Sequence, residues 1–203
     1  KKLDNTTVYP LLLVVFEALA PEADRDEIEA IVHTLESYLV RRRVCNLTRK
    51  HYNRHFLRIT ESLREEGITA QNLENILKRS SGEATKWPSD KEFAKAWRNL
   101  PIYNTLKRSV LRHVLRSINQ KLMREHASEH GSEEISVRSK LTVEHIMPVE
   151  WSRNWSLDNP SFEEIERRDN LVHNVGNLTL LTQKLNSRQS NAAWDEKREK
   201  LKR

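Results

Sequence analysis

The stretch 143-VEHIMPVEW-151 sets a glutamate and a histidine side by side at the end of an apolar run, with Pro148 close behind. Leu141, Thr142 and Val143 lean toward strand. Successive side chains on a strand face opposite sides, so Glu144 and His145 reach one site only if the strand ends or bends there. Pro148 makes a bend there reasonable. Downstream, 171-LVHNVGNLTLL-181 is apolar and β-branched around one glycine, and reads as a turn and a second strand. Between them Asn159-Pro160 opens a short helix through Arg167. Thr182 caps a helix carrying Leu185 and Asn186, and a last helix holds Trp194. The order is strand, loop with helix, strand, helix, and this unit collects His145, Asn174, Asn177 and Asn186.

Upstream the chain reads as helical, since only 4 Gly and 6 Pro interrupt 203 residues. Pro10 sits in the first turn of a helix running to Ala20. From Asp24 to Val44, Ile28, Ile31, Val32, Leu35 and Leu39 recur at helical spacing. A third helix over Arg49 to Glu65 carries Tyr52, Phe56, Ile59 and Leu63 and stops at Gly67. Thr69 caps a fourth, with Leu73, Ile76 and Leu77 inward. The break 87-WPSD-90 doubles as a capping signal for a short helix with Phe93 and Trp97. The stripe Leu106, Val110, Val114, Leu115, Ile118 and Leu122 predicts one helix from Asn104 to Glu125, with Lys107, Arg108, Arg112, Arg116 and Lys121 interleaved. The polar stretch 126-HASEHGSEE-134 marks a change of character. The fold class is mostly α with a small α+β unit: an α-helical domain over 1–130, then a compact unit over 131–203.

A hydrophobic fraction of 37% is enough for a core, and a net charge of +6 favours a polyanionic partner, nucleic acid before a membrane surface. The single cysteine, Cys45, excludes an intramolecular disulfide and a cysteine-bound zinc, and fits a cytoplasmic protein. The longest apolar run, 11-LLLVVFEALA-20, contains Glu17 and is too short to span a membrane. A chain that starts with Lys and ends in a basic segment reads as a fragment of a longer protein.

A strand ending in His, a second strand carrying Asn and a helix with another Asn resemble the ββα-metal (HNH, or His-Me finger) nucleases. The closer resemblance is to the C-terminal nuclease domain of GmrSD-type restriction endonucleases. It is carried by 144-EHIMP-148, 176-GNLTLL-181, Asn186 and 194-WDEKREKL-201, with 36-ESYLVRRRVCN-46 similar to a segment preceding that domain. The resemblance implies a metal-dependent DNA endonuclease of a bacterial restriction or anti-phage defence system. Cleaving a phosphodiester needs an activated water, and a neutral imidazole supplies the general base, the role given to His145. A single divalent cation, Mg²⁺ or Mn²⁺, would polarise the phosphate through oxygen ligands. The resemblance makes these Asn186 and Glu144, since the family places an acidic residue just before the base. Asn177 matches the middle Asn, which holds the catalytic ring in its working orientation. His173 is a further candidate, with a structural or surface role as its alternative, and Asn174 another, with a turn role as its alternative.

Lys184 and Arg188 flank Asn186 and are candidate DNA contacts. Arg41, Arg42 and Arg43 are either phosphate contacts or a solvated helix end suited to the macrodipole. Lys197, Arg198, Lys200, Lys202 and Arg203 form another candidate footprint. The larger family proteins carry an N-terminal domain with an NTPase-like Asp-Gly-Gln-Gln-Arg motif, absent here, so nucleotide gating is expected outside this fragment. Without a bound zinc, the finger is expected to pack on the helical half through Trp151, Trp155 and Trp194. The rival readings are a non-catalytic nucleic-acid-binding module and a ribonuclease on the same fold.

Overall fold

The computed structural model describes residues 6–19, 24–130, 141–183 and 194–201. The chain divides into two compact units, Lys1–Ala96 and Trp97–Arg203.

The first unit is helical. A 3-10 turn at Thr6–Val8 leads into α1 (Tyr9–Leu19), followed by α2 (Arg25–Val44), α3 (Tyr52–Glu66) and α4 (Ala70–Arg79). The boundaries follow local chemistry. The Asp24 carboxylate accepts from the Glu27 N–H at 3.0 Å, and the Thr69 hydroxyl accepts from the Asn72 N–H at 3.1 Å, so each caps a helix start. Gly67 ends α3 at φ +101°, a conformation that side-chain-bearing residues rarely adopt. The inward stripes meet in one core of Leu11, Val15, Ile31, Leu35, Phe56, Ile59, Leu63, Leu73 and Leu77. The Glu27 carboxylate also accepts from the Ala70 N–H, tying the start of α2 to that of α4.

Beside this core lies a buried polar cluster. Tyr38 gives its one hydroxyl proton to the Thr85 carbonyl at 2.8 Å, so His55, 2.9 Å away through Nε2, donates to the tyrosine oxygen. Burial, then the charges of Arg42 and Arg58, lower the His55 pKa to about 4, which keeps this ring neutral. Arg42 is fully buried and bonds only to protein groups. Arg41 donates to the Pro88 carbonyl at 3.1 Å and pairs with Asp90 at 2.5 Å, beside the rings of Trp87 and Phe93. Arg43 is half-buried. The expected phosphate role therefore fails for Arg42, whose guanidinium no phosphate reaches, and Arg41 is already engaged by protein groups.

Helix α5 (Asp90–Asn99) runs across the division, capped by Ser89 and Glu92 in reciprocal bonds. The second unit continues with α6 (Ile102–Thr105), α7 (Arg108–His130), β1 (Leu141–His145), α8 (Trp151–Asn154), α9 (Phe162–Val172), a 3-10 turn at Val175–Asn177, β2 (Leu178–Thr182) and α10 (Trp194–Leu201). The single helix expected from Asn104 is thus two. Leu106 is extended at φ −95°, ψ 140°, and its N–H closes α6 on the Ile102 carbonyl. The apolar stripe runs through the break because Leu106 and Val110 are both buried. Asn159-Pro160 precedes the predicted short helix, but the cap is Ser161, in a capping box with Glu164, and the helix runs on to Val172.

β1 and β2 pair antiparallel with Leu141 opposite Thr182 and His145 opposite Leu178. Helix α7 packs on both strands, with Val110, Leu111, Val114, Leu141, Leu178 and Leu181 buried. The domain boundary read near residue 130 differs from the compact division because α7, the longest described helix, belongs with the hairpin. The tryptophans brace the second unit itself. Trp151 is buried and its indole N–H donates to Asp169 at 2.9 Å, while Trp155 meets Trp194 edge-on at 5.5 Å. Among the described residues no helix is long and apolar enough to cross a membrane.

Candidate active site

His145 is the last residue of β1, and its pairing with Leu178 keeps the strand regular to that point. Its side chain consequently leaves on the face opposite to that of Glu144. The ring is 7% exposed and lies 4.2 Å from the Tyr103 ring, centroid to centroid. Its Nε2 is 3.3 Å from Nδ1 of His173, a half-buried residue just past α9. Tyr103 stacks nearly parallel on His173 at 5.7 Å, and its N–H donates to the His173 carbonyl at 3.0 Å. Arg108 lies over the Tyr103 ring at 3.3 Å and also donates to the Tyr103 carbonyl.

This setting lowers the His145 pKa to about 4, through burial first, then the charges of His173, Arg108 and Lys197. The imidazole is therefore neutral at physiological pH and able to accept a proton. The same cationic surroundings suit an anion beside the ring.

The loop after His145 is fixed by Asn177. Its Oδ1 accepts from the Met147 N–H at 2.7 Å, and its Nδ2 donates to the carbonyls of Met147 at 2.9 Å and Val172 at 2.8 Å. The backbone of Asn177 also accepts from the Ile146 N–H at 2.8 Å. Asn177 thus acts on the residues that follow His145, and both of its amide protons are spent on backbone. Asn174 is buried; its Nδ2 donates to the Arg98 carbonyl at 3.0 Å, and its Oδ1 has no hydrogen-bond partner among the described residues.

Glu144 turns to the other side, where its Oε1 receives the Lys197 ammonium at 3.3 Å. Lys197 also donates to the His145 carbonyl at 2.9 Å and is 1% exposed. Its place in the basic C-terminal footprint is therefore corrected, since a side chain so enclosed does not contact DNA. Asn186, Lys184, Arg188, Lys202 and Arg203 lie outside the described residues. Among the described residues no three His, Cys, Asp or Glu side chains gather closely enough to hold a metal ion. With Glu144 facing Lys197 and His145 facing Tyr103, the described residues do not by themselves fit a divalent cation.

The structure sets His145 beside His173, places Asn177 on the loop that follows His145, and adds Tyr103, Arg108 and Lys197 to these surroundings. Tyr103 had no signal in the sequence. Lys197 had one, the lysine-bearing helix that accompanies EHIMP and GNLTLL. No curated protein and no solved structure matches this chain. Residues 87–203, more than half of the sequence, match the model of the family described as GmrSD restriction endonucleases, C-terminal domain. That span includes every residue around His145 described above, and the chain belongs to the GmrSD restriction endonuclease family through this C-terminal domain.

Proposed function

We propose that the chain is an endonuclease module that hydrolyses DNA phosphodiester bonds, built on a ββα (HNH, His-Me finger) core, within a bacterial restriction or defence system. The observation that carries this reading is a neutral, buried imidazole at a strand end, with the family match spanning its whole surroundings. His145 takes the proton of the attacking water, Nε2 facing His173 and leaving Nδ1 as the other ring nitrogen. Arg108 is exposed, and its charge is felt at His145, so a phosphate oxygen beside the base meets a guanidinium. Tyr103 packs on both imidazoles and limits their rotation.

Mg²⁺ or Mn²⁺ belongs to this reading, with Asn186 as its expected oxygen donor. Lys184 and Arg188 remain the proposed DNA contacts beside it. The test is conversion of supercoiled plasmid to open-circular or linear form with Mg²⁺ or Mn²⁺, beside a structured RNA and a chelated control. Nicking that stops on chelation is the expected result. Cleavage of RNA alone would replace DNA with RNA as the substrate, and binding without cleavage of either would leave a non-catalytic module.

Asn177→Ala is expected to lower turnover by roughly 10–100-fold, as for other groups that orient a catalytic residue. Excess Mn²⁺ should not restore it, because Asn177 bonds to the Met147 and Val172 backbone. A metal titration of the nicking rate checks this, and recovery at high Mn²⁺ would make Asn177 a ligand instead.

A further inference from the structure

We propose that Lys197 is a positioning residue for His145, gripping the peptide that carries the base from the edge of β1 away from β2. The inference rests on reading His145 as the base.

On α10 the described neighbours Trp194, Asp195, Glu196, Arg198 and Glu199 are exposed, while Lys197 is 1% exposed. An ammonium so buried must be paired, because burying an unpaired charge costs several kcal/mol. Its bonds go to the His145 carbonyl at 2.9 Å and to Glu144 Oε1 at 3.3 Å, the residue before.

The register explains why that carbonyl is available. In an antiparallel pair, alternate residues turn their backbone groups away from the partner strand. Ile146 donates to Asn177 across the pair, so His145 and Leu141 face outward. The Leu141 carbonyl receives Arg112 of α7 at 3.5 Å, and the His145 carbonyl receives Lys197. The strand end is thereby held from both sides, by Asn177 on the β2 side and Lys197 on the free edge. Trp194, one turn before Lys197, sets α10 in place by its edge-on contact with Trp155. Lys197 holds His145 through the backbone carbonyl, and its charge is also felt at the ring.

The experiment measures nicking kinetics, DNA affinity and melting for Lys197→Met, His145→Ala and the double variant of the full chain, each assayed below its own melting temperature. Lys197→Met is expected to lower kcat about 10–100-fold. KM and DNA affinity should stay at the wild-type level, and the double variant should be no slower than His145→Ala alone, because groups acting as a unit are non-additive. A loss in KM or DNA affinity would make Lys197 a substrate contact and overturn the proposal. So would a loss that multiplies with that of His145→Ala, or wild-type kcat in Lys197→Met. If Lys197→Met does not fold, Trp194→Ala decides: a several-fold fall in kcat at constant KM supports the proposal, and unchanged kcat overturns it. Should His145→Ala itself cut DNA normally, the reading beneath the proposal falls with it.

Discussion

His145→Ala is expected to reduce plasmid nicking by about 10²–10⁴-fold, the usual effect of losing a general base. On the proposed reading the ring takes the proton of the attacking water, and its surroundings keep it neutral. A distinctive pH profile should accompany the loss. In the free protein the His145 pKa is near 4, and kcat/KM reports free-enzyme ionisations. Activity in kcat/KM is present while the ring is neutral and is lost as pH falls through that value, so the acid limb should lie well below the ordinary histidine range. A bound phosphate carries negative charge and opposes the effects of His173, Arg108 and Lys197. It should raise the His145 pKa in the complex, so the acid limb of kcat should appear at higher pH than that of kcat/KM. Rates for wild type and variant across pH 4 to 8 test both points, the range spanning folded and unperturbed histidine values. Full activity in the alanine variant would remove His145 from the chemistry.

Arg42→Met should destabilise the helical unit by about 3 kcal/mol or more, because several acceptors are each left without a donor at about 1–3 kcal/mol apiece. Among the described residues Arg42 has no carboxylate partner. Its Nε donates to the Tyr52 hydroxyl at 2.9 Å, Nη1 to the Lys86 carbonyl at 2.8 Å, and Nη2 to the carbonyls of Thr48, Glu83 and Ala84 at 2.7, 3.2 and 2.9 Å. The guanidinium also lies beside the Tyr38 and Tyr52 rings, at 5.6 and 5.5 Å. Its donors thus fix both the turn after α2 and the loop between α4 and α5. Methionine fills similar volume but leaves all those acceptors without a donor. Lysine should also fail, because one ammonium cannot match donors aimed in several directions. Against a typical total of 5–15 kcal/mol, the loss should be visible as a large fall in denaturation midpoint. A change under 1 kcal/mol, well below that loss, would show that water replaces the guanidinium without penalty.

These two residues also mark how far the sequence could be read. Helical periodicity placed α1 to α4 closely, because their buried faces repeat and Asp24, Gly67 and Thr69 announce the ends. It missed the break before α7, since periodicity reports which side chains are buried and not whether the backbone between them is continuous. His145 and Asn177 were legible because strand ends and a glycine turn frame them. Tyr103 was not, as its partners His145 and His173 lie far along the chain. The RRR run misled because charge is ordinarily solvated, and nothing local shows that Tyr38, Tyr52 and a ring of carbonyls enclose Arg42. Lys197 misled in the same way, as one basic residue among several near the end.

The packing of α6 and α7 on the hairpin has a consequence for inheritance. A nuclease finger is easily pictured as a small cassette that moves between proteins alone. Here His145 is covered by Tyr103 of α6, the strand beneath it is covered by α7, and Asn174 reaches back to the Arg98 carbonyl. A recombination joint placed between α7 and β1 would separate β1 from its cover and leave apolar surface on both pieces. Joints ahead of α5 keep the set together, and the family match, beginning at residue 87, respects that limit. The heritable piece is therefore the hairpin together with its preceding helices, and sequence change in α6 or α7 is selected with the nuclease even where it touches no substrate.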